Sequence, residues 1–389
     1  MVEAHTVPMS ALDILLGYPD GYSVRRIGRP PRRTYAPHEA MERVVLPALL
    51  RPPCVVAFSG GRDSSAVLAF AAALARREGL PEPLPVTRVF VGAPMSEESE
   101  WQELVIRHLG ITEWIREGID DEVDVVGPLA RERLRRCGVL WSPLIHGDDF
   151  LLRHAEGGSL LDGEGGDDVC DPRPHRIRPM AMLLRQRSRP TRSRLRAAVV
   201  GAAPKPLRGV RAARRSRASE LRPWLRPAAV DLAAERARRQ ARAEVLDGRR
   251  SIMQVLARRS VAELQRNRAF FARERDVHFV SPLLEPEVVA TLADSAGRLG
   301  FESRAVALGT FCGDLLPASI LNRTTKAAFN ATNFNRHTRA FAERWTGEGV
   351  DHELVDAEVL RELWRGPANN ALSAALLQAA WLAQEGHVR

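Results

Sequence analysis

The amino-acid sequence predicts an α/β protein with a parallel sheet in its first half and a mainly helical second half. In the first half, short apolar runs alternate with helix-forming stretches, a pattern typical of a parallel sheet covered by helices on both faces. The clearest run is residues 54–58, a continuous apolar stretch that suits a buried parallel strand. From Met180 onward Ala, Leu, Arg and Glu dominate and β-branched residues are few, which favours helices.

The predicted elements follow one another along the chain. Apolar side chains at helical spacing indicate a helix over residues 37–50, which Arg51-Pro52-Pro53 ends. The strand at 54–58 leads through a glycine turn into a helix over 66–77, closed by Gly79. The remaining predictions are a strand at 86–91, a helix at 97–109, short strands around Trp114 and at Leu160-Leu161, and helix breaks at 201–206 and Asp247-Gly248.

These elements divide the chain into three parts. Residues 1–45 show little periodicity and are expected to form a mostly extended lead-in. Residues 46–175 are expected to form the core that contains the sheet, and residues 176–389 the mainly helical part.

Composition disfavours several classes of protein. No stretch has the roughly 18 consecutive apolar residues of a membrane span, and the N-terminus lacks the pattern of a secretory signal, so a cytoplasmic location is expected. The four cysteines include no C-x-x-C pair, which disfavours a zinc site or a disulfide framework and suits apolar core positions.

The net charge of +9 is a local feature. Residues 173–250, here called the Arg-rich segment, contain 22 Arg and 1 Lys against 5 acidic residues, a net +18, so the rest of the chain carries −9. Three interpretations remain open: a solvated helical surface, a docking surface for an acidic partner or peptide, and nucleic-acid binding. Nucleic acid is the least favoured, because Trp224 is the only aromatic residue of the segment.

The strongest functional motif is Ser59-Gly60-Gly61-Arg62-Asp63-Ser64-Ser65, placed between a predicted strand and a predicted helix. Glycines let main-chain N–H groups approach phosphate oxygens, the serine hydroxyls add donors, and the helix N-terminus adds positive potential. The motif lacks the G-x-x-x-x-G-K-[ST] arrangement of the usual P-loop. A loop that holds the terminal pyrophosphate as leaving group leaves the α-phosphorus of ATP open to attack by a carboxylate.

A second motif, Asp162-Gly163-Glu164-Gly165-Gly166-Asp167-Asp168, is a glycine-rich acidic turn after the short apolar run at 160–161. Mg²⁺ prefers hard oxygen ligands, usually one or two carboxylates with phosphate and water oxygens. Both motifs are expected at the carboxyl ends of strands, where open α/β sheets bind ligands. The sequence therefore predicts that Asp63 and Asp167 together hold Mg²⁺. Two interpretations are open for His146, Asp148 and Asp149, which precede this turn: a lining of the substrate pocket and, as the favoured one, a solvated turn.

A third motif runs from Leu315-Leu316-Pro317 to Phe329 and contains Lys326. By itself this lysine is typical of a surface position. In company with the other two motifs, it is a candidate to neutralise the charge that develops on the α-phosphate and the leaving pyrophosphate.

In order and spacing the three motifs resemble those of the asparagine synthetase family, in its synthetase domain, whose relatives include β-lactam synthetases and lasso peptide cyclases. The segment from His278 to Glu285 resembles the run that precedes the late helices of that family. The resemblance covers roughly residues 46–345 and implies an ATP-pyrophosphatase core, of the adenine nucleotide α-hydrolase type, over residues 46–175. It also implies ATP and Mg²⁺ as cofactors.

Carried over position by position, the resemblance implies a set of site residues. Lys326 matches the catalytic lysine of the family, and Asp63 and Asp167 match its magnesium ligands. Glu164 matches a glutamate of asparagine synthetases, which implies a general base or an ammonia-guiding carboxylate. The implied nucleotide contacts are Ser59, Gly60, Gly61, Asp63, Ser64, Ser65, Gly163 and Gly165.

The sequence departs from the family pattern at three points. Arg62 stands where an aliphatic residue is commoner, and Asp168 replaces the usual Glu. The N-terminal glutaminase domain is not seen and no Cys follows Met1, so we expect the nitrogen to come from free ammonia, a separate ammonia-supplying protein, or an amine of the substrate.

The leading hypothesis is thus a ligase that adenylates a small-molecule or peptide carboxylate, releases AMP and pyrophosphate, and forms an amide. Amidation as in asparagine synthetase and macrolactam closure as in lasso peptide cyclases both remain open, the second with a peptide-delivering partner protein and with a use for the Arg-rich segment. The alternatives are a tRNA-modifying enzyme with a similar loop and a degenerate nucleotide-binding protein.

Overall fold

The computed structural model describes residues 5–23, 35–90, 98–171, 175–185, 191–323, 330–367 and 370–386. Within these residues five parallel strands form one sheet in the order β3-β2-β1-β4-β5. The strands are β1 Cys54–Ala57, β2 Leu84–Phe90, β3 Ile115–Ile119, β4 Ser159–Leu161 and β5 His278–Val280. The predicted α/β class, a parallel sheet followed by a mainly helical half, is confirmed.

Helices flank the sheet and form most of the remaining chain. In the first half they are α1 Ala11–Leu16, α2 Pro37–Leu49, α3 Arg62–Glu78, α4 Ser99–Leu109, α5 Pro128–Cys137, α6 Asp149–Leu152 and α7 Gly166–Val169. In the second half they are α8 Arg178–Arg185, α9 Arg192–Ala202, α10 Lys205–Arg217, α11 Pro227–Ala243, α12 Gly248–Gln254, α13 Arg259–Glu274, α14 Pro286–Ala296, α15 Arg304–Cys312, α16 Ala318–Leu321, α17 Asn330–Asn333, α18 Arg336–Arg344, α19 Ala357–Arg365 and α20 Ala374–Gly386.

Alternate residues of β1 pack on opposite faces of the sheet, and both faces are apolar. Cys54 and Val56 contact the core that includes α2, α3, α14 and α15, whereas Val55 packs with Val86 and Leu160 on the other face. A strand buried on both faces has to be continuously apolar, which explains the run at 54–58. Three of the cysteines, Cys54, Cys170 and Cys312, are buried core residues, as predicted.

The strand order places a crevice at the carboxyl ends of β1 and β4. From β1 the chain proceeds to β2 and β3 on one side, whereas β4 and β5 lie on the other side. The strand order therefore reverses between β1 and β4, the position where open α/β sheets bind ligands. Both glycine-rich motifs are at this crevice.

One sequence prediction needs correction. The described residues 5–23 of the lead-in are not simply extended, because they include α1, which is capped by Ser10 and closed by Gly17, and Leu15 and Leu16 are buried with α20 in a second helical core. The sheet also contains β5, which lies within the mainly helical half and which the sequence analysis did not predict. Its three residues are too short a run to stand out from the sequence.

Most element boundaries agree with the predictions to within a few residues. The second strand begins at Leu84 rather than at residue 86, and α4 begins at Ser99 rather than at residue 97. Residues 91–97, at the predicted end of that strand and the start of that helix, lie outside the described residues. In the described parts of the chain, no helix is both long enough and apolar enough to span a membrane.

Candidate active site

The loop after β1 is held in a tight turn by its own serines. Gly60 has a φ of 80°, which L side chains rarely adopt, and the hydroxyls of Ser59 and Ser64 lie 3.0 Å apart. The Gly61 N–H donates to Ser59 Oγ (3.3 Å), and Ser64 Oγ donates to the Gly61 carbonyl (3.2 Å). These contacts fix the entry into α3, which begins at Arg62 with Gly61 as its N-cap. Ser65 differs from Ser64, because its hydroxyl is fully buried and has no hydrogen-bond partner among the described residues.

The loop after β4 packs against the first loop so closely that its glycines have no room for a side chain. A Cβ at Gly163 would lie 2.6 Å from the Ser64 nitrogen, and one at Gly166 would lie 2.1 Å from Asp63 Cγ. Gly165 has a φ of 90°, and its Cβ would lie 2.5 Å from Leu284. The sequence prediction that these two glycine-rich loops meet at one edge of the sheet agrees with this packing.

Arg304 connects the two acidic motifs. It is the first residue of α15 and is 6% exposed. Its Nε donates to Asp63 Oδ1 (2.9 Å), and its terminal nitrogens donate to Asp63 Oδ2 and to Asp167 Oδ1. Asp171 Oδ2 is 3.7 Å from the same guanidinium. The two predicted metal ligands therefore converge on one position, which a guanidinium occupies.

The pKa of Arg304 is lowered by its surroundings. Burial, and to a smaller extent the charge of Arg62, lower the pKa of Arg304 to about 10. This guanidinium nevertheless remains cationic at neutral pH, and it compensates carboxylates from both loops. Asp63 is mostly buried, whereas the side chain of Asp167 is about half exposed, so the acidic pair is open to solvent on the Asp167 side.

The donor set fits Mg²⁺ in its chemistry. Two carboxylates from two loops are the usual protein contribution to such a site, the other ligands being phosphate and water oxygens. No group of three or more potential metal-binding side chains is found among the described residues, so Asp63 and Asp167 would need those other oxygens. A metal ion at this position would share the two carboxylates with Arg304 or displace its guanidinium.

Arg323, three residues before the lysine of the third motif, contacts the first loop. Its guanidinium donates to the Gly60 carbonyl (3.1 Å), forms a buried ion pair with Glu98 (2.6 Å) and lies over the ring of Trp101. Lys326 itself, with the rest of residues 324–329, lies outside the described residues. The third motif is thus in direct contact, through Arg323, with the glycine turn of the first motif.

Arg268 on α13 forms a second cationic centre, beside the predicted base. Its guanidinium donates to Asp148 Oδ2 (2.9 Å), to Asp162 Oδ2 (3.2 Å) and to Glu164 Oε2 (2.9 Å). Burial raises the pKa of Asp162 to about 7, against the attraction of Arg268. Glu164 is the most exposed of the three carboxylates, and its ion pair fixes its side chain at the mouth of the loop.

The neighbouring predicted residues have structural partners. Asp168, the departure from the usual Glu, accepts a hydrogen bond from Arg258, and burial raises its pKa. The interpretation of residues 146–149 as a solvated turn is wrong for His146. This side chain is buried in a short 3₁₀ turn, with Nε2 3.0 Å from the Val123 carbonyl.

The arginines were the residues that sequence reasoning did not identify. Arg304, Arg268 and Arg323 are three among many arginines, and their partners are remote in the sequence. Arg323 lies within the third motif, but the sequence indicated no role for it. A local signal existed for Arg304, because it is the single charged residue of α15.

The asparagine synthase family profile matches residues 50–384 of this chain. The chain belongs to the asparagine synthase family. The match runs from the end of α2 into α20, so it includes the sheet, the crevice with both loops, and the helical half. A search of curated proteins finds no match. Membership of the asparagine synthase family supports an ATP-dependent ligase that forms carbon–nitrogen bonds.

Proposed function

We propose that this member of the asparagine synthase family activates a carboxylate as its adenylate and then joins it to a nitrogen nucleophile. The observation that carries the proposal is the convergence of Asp63 and Asp167, from the two loops of the crevice, on one cationic position. A site for a nucleotide pyrophosphate needs this combination of main-chain donors, hydroxyls and carboxylates that share a cation.

The proposed reaction has two steps. A carboxylate oxygen of the substrate attacks the α-phosphorus of ATP, the bond from that phosphorus to the bridging oxygen breaks, and pyrophosphate leaves. The nitrogen nucleophile then attacks the acyl carbon of the adenylate, AMP leaves with the former carboxylate oxygen, and the nitrogen loses a proton to a base. The products are an amide, AMP and pyrophosphate.

Each motif has a role in this proposal. The turn at Gly60 and Gly61, with the hydroxyls of Ser59 and Ser64, binds the pyrophosphate, and Asp63 and Asp167 hold Mg²⁺, which neutralises phosphate charge when bound. Ser65, Gly163 and Gly165 shape the loops by packing.

Lys326 is proposed to stabilise the charge that moves onto the leaving group. Lys326 is three positions after Arg323 in the sequence. Arg323 contacts the glycine turn, and this contact supports a role for the lysine at the same loop.

The nitrogen nucleophile is proposed to meet Glu164. The ion pair between Glu164 and Arg268 orients the Glu164 carboxylate at the crevice. There this carboxylate can accept a hydrogen bond or a proton from ammonia or an amine. A small carboxylate amidated by ammonia and a peptide closed by its own amine both fit this chemistry.

The test is ATP–pyrophosphate exchange with Mg²⁺, run with aspartate, glutamate, and peptides that contain Asp or Glu. We expect exchange only when the right carboxylate is present, and a fall of about 100-fold or more in Asp63→Asn, Asp167→Asn and Lys326→Met, since each removes a charge that the transition state uses. Asp294→Asn is the matched control, because Asp294 is an exposed carboxylate that pairs with Arg249. Exchange that persists in the Asp63 and Asp167 variants would refute the proposed site. Exchange stimulated by RNA would favour a tRNA-modifying enzyme instead.

A further inference from the structure

A cavity of about 440 Å³ opens where the Arg-rich segment meets the rest of the helical half. It lies between the ends of α9 and α11 and the starts of α10 and α12, a region to which the proposed reaction assigns no role. Its volume is within the range of ligand-binding pockets. Five of the side chains that line it are basic and two are acidic: Arg176, Lys205, Arg208, Arg250 and Arg298 against Glu244 and Asp247.

The acidic side chains do not neutralise this lining. Asp247 caps α12 by accepting from the Arg250 N–H (2.9 Å), and its other oxygen lies 3.5 Å from Arg298 Nε. Glu244 faces both Arg176 and Arg208, and burial raises the pKa of its carboxyl. The lining therefore keeps an excess of positive charge even when both acids are ionised.

Arg208 is the most informative residue of the lining. Its side chain is 8% exposed, and its terminal nitrogens donate to the main-chain carbonyls of Glu244 (2.8 Å) and Arg242 (3.5 Å). Its Nε is buried and has no hydrogen-bond partner among the described residues. A buried donor without an acceptor is unfavourable, so a guanidinium in this state favours an anion near it.

Two further features add positive potential to the same cavity. α10 begins at Lys205, after Pro204, with no side-chain cap in the described part of the chain, and Lys205 itself lines the cavity. Burial and the charge of Arg208 also lower the pKa of Arg176, because two guanidiniums share this space. The Glu244 carboxylate opposes this lowering of the Arg176 pKa without reversing it.

The cavity also has an apolar part. Ala202, Ala203, Val245 and Leu246 contribute to the lining, next to the basic side chains. Around it, the residues from 182 to 246 hold nine of the eleven large apolar side chains that are exposed in the described residues. Basic groups next to aliphatic ones match a ligand that carries carboxylates and aliphatic side chains together.

We propose that this cavity binds a peptide segment through a carboxylate side chain, with a neighbouring aliphatic side chain against Val245 and Leu246. The carboxylate lies at the start of α10, beside the exposed cations Lys205 and Arg250. Binding of the peptide does not depend on ATP or on the proposed ligase reaction.

The test measures binding of a short fluorescein-labelled peptide of glutamate and leucine to the full chain, without ATP, by fluorescence anisotropy. We expect the double variant Lys205→Glu/Arg250→Glu to bind about tenfold or more weakly, since both lining cations become repulsive. Both residues are exposed, so the fold should tolerate the changes. Arg208 is not varied, because it also donates hydrogen bonds to main-chain carbonyls.

The matched control is Arg211→Glu/Arg214→Glu, which makes the same change of charge on exposed residues of α10 that do not line the cavity. An unchanged affinity in this control supports the proposal. An equal loss in both double variants would overturn it, because the attraction would then be a diffuse property of the basic surface.

The nature of the ligand is tested with the same variants. A labelled peptide with glutamine in place of glutamate should not bind, and equal binding of this peptide would overturn the role of the carboxylate. Binding of inorganic phosphate or of a short single-stranded RNA that depends on Lys205 and Arg250, with no binding of the acidic peptide, would overturn the peptide as occupant.

Discussion

At the crevice of the sheet, the guanidinium of Arg304 is buried and shared by carboxylates from both loops, whereas on α10 the side chains of Arg211, Arg214 and Arg215 are exposed. The two regions use the same residue type in different ways. Buried arginines at the crevice connect loops that are remote in the sequence. Exposed arginines of the Arg-rich segment lie beside exposed leucines and valines and present their charge to solvent.

The difference does not follow from composition alone, because the Arg-rich segment also contains buried ion pairs. Arg236 on α11 donates to the buried carboxylate of Asp13, which Arg259 also binds. Burial favours a higher pKa for Asp13, but hydrogen bonds from Arg259, Ser10 and Arg236 lower it overall. One arginine of the segment thus ties the N-terminal helix to the body of the protein, and the solvated-surface interpretation holds for only part of the segment.

Removing Arg304 should give the largest effect on stability. Arg304→Ala leaves carboxylates of Asp63, Asp167 and Asp171 without their shared cation, and breaking such a buried pair costs about 3–5 kcal/mol. Thermal and urea unfolding measure this loss. Arg249→Ala, which removes an exposed partner of Asp294, is the control and should cost less than about 1 kcal/mol.

The same variant tests the metal site without any measurement of activity. If Asp63 and Asp167 can hold Mg²⁺, millimolar Mg²⁺ should raise the Tm of Arg304→Ala more than that of the wild type, because the ion replaces the missing charge. An Arg304→Ala protein as stable as the wild type would show that the crevice does not depend on its buried cation.

Arg323 should affect the reaction by holding the glycine turn in position. Arg323→Ala removes the contact with the Gly60 carbonyl and leaves Glu98 buried without its partner, which we expect to lower the exchange rate about 100-fold and to cost about 2–4 kcal/mol of stability. In the double variant Arg323→Ala/Glu98→Gln the negative charge of Glu98 is removed as well. Stability should then recover, as measured by urea unfolding, while the exchange rate stays low.

Recovery of both quantities in that double variant would mean that Arg323 only balances Glu98. Arg323→Lys should rescue the exchange rate poorly, because a lysine cannot reproduce two parallel bonds to a carboxylate and a third to a carbonyl.

Asp162 should make the stability of the crevice depend on pH. Its pKa is raised from the ordinary value near 4 to about 7 by burial, so the folded protein binds this proton more tightly than the unfolded chain does. The stability that this group contributes is fully present below about pH 4 and is lost as the pH rises through about 7.

Asp162→Asn keeps the oxygen that accepts from the Glu164 N–H and removes the titration. We therefore expect the free energy of unfolding of the wild type to fall relative to that of Asp162→Asn between about pH 5 and pH 8, by on the order of 1 kcal/mol or more in urea titrations. A difference that is the same at every pH would contradict the raised pKa.

The smallest effect is expected on the exposed face of α10. Arg211→Glu should change the free energy of unfolding by no more than about 0.5 kcal/mol and leave the exchange rate unchanged, because this side chain is exposed and does not line the cavity. A large loss of stability in urea unfolding would show that these arginines have partners as essential as those at the crevice.

The sequence predicted the parts of the fold that depend on local patterns. β1 could be recognised because a strand buried on both faces is continuously apolar and is bounded here by prolines and glycines. The two glycine-rich loops could be recognised for a similar reason, since Gly60 and Gly163 are needed for a positive φ and a close approach.

The pairing of distant side chains could not be predicted in this way. Arg304 and Asp63 are 241 positions apart, and nothing local distinguishes this arginine as the one that meets both acidic loops. The same holds for Arg268 and Glu164, which are separated in the sequence by the helices between β4 and α13. Short elements that depend on tertiary contacts, such as β5 and α1, were missed because their few residues carry too weak a pattern.

The most direct test of the proposed adenylation follows an oxygen atom. The carboxylate that supports exchange is labelled with oxygen-18, the reaction is run to completion with the nitrogen nucleophile, and the nucleotide product is analysed by mass spectrometry. Adenylation should yield AMP that carries one labelled oxygen, because the carboxylate oxygen that attacked the α-phosphorus stays with the phosphate. ADP together with labelled inorganic phosphate would contradict it, since that result requires attack at the γ-phosphorus and an acyl phosphate.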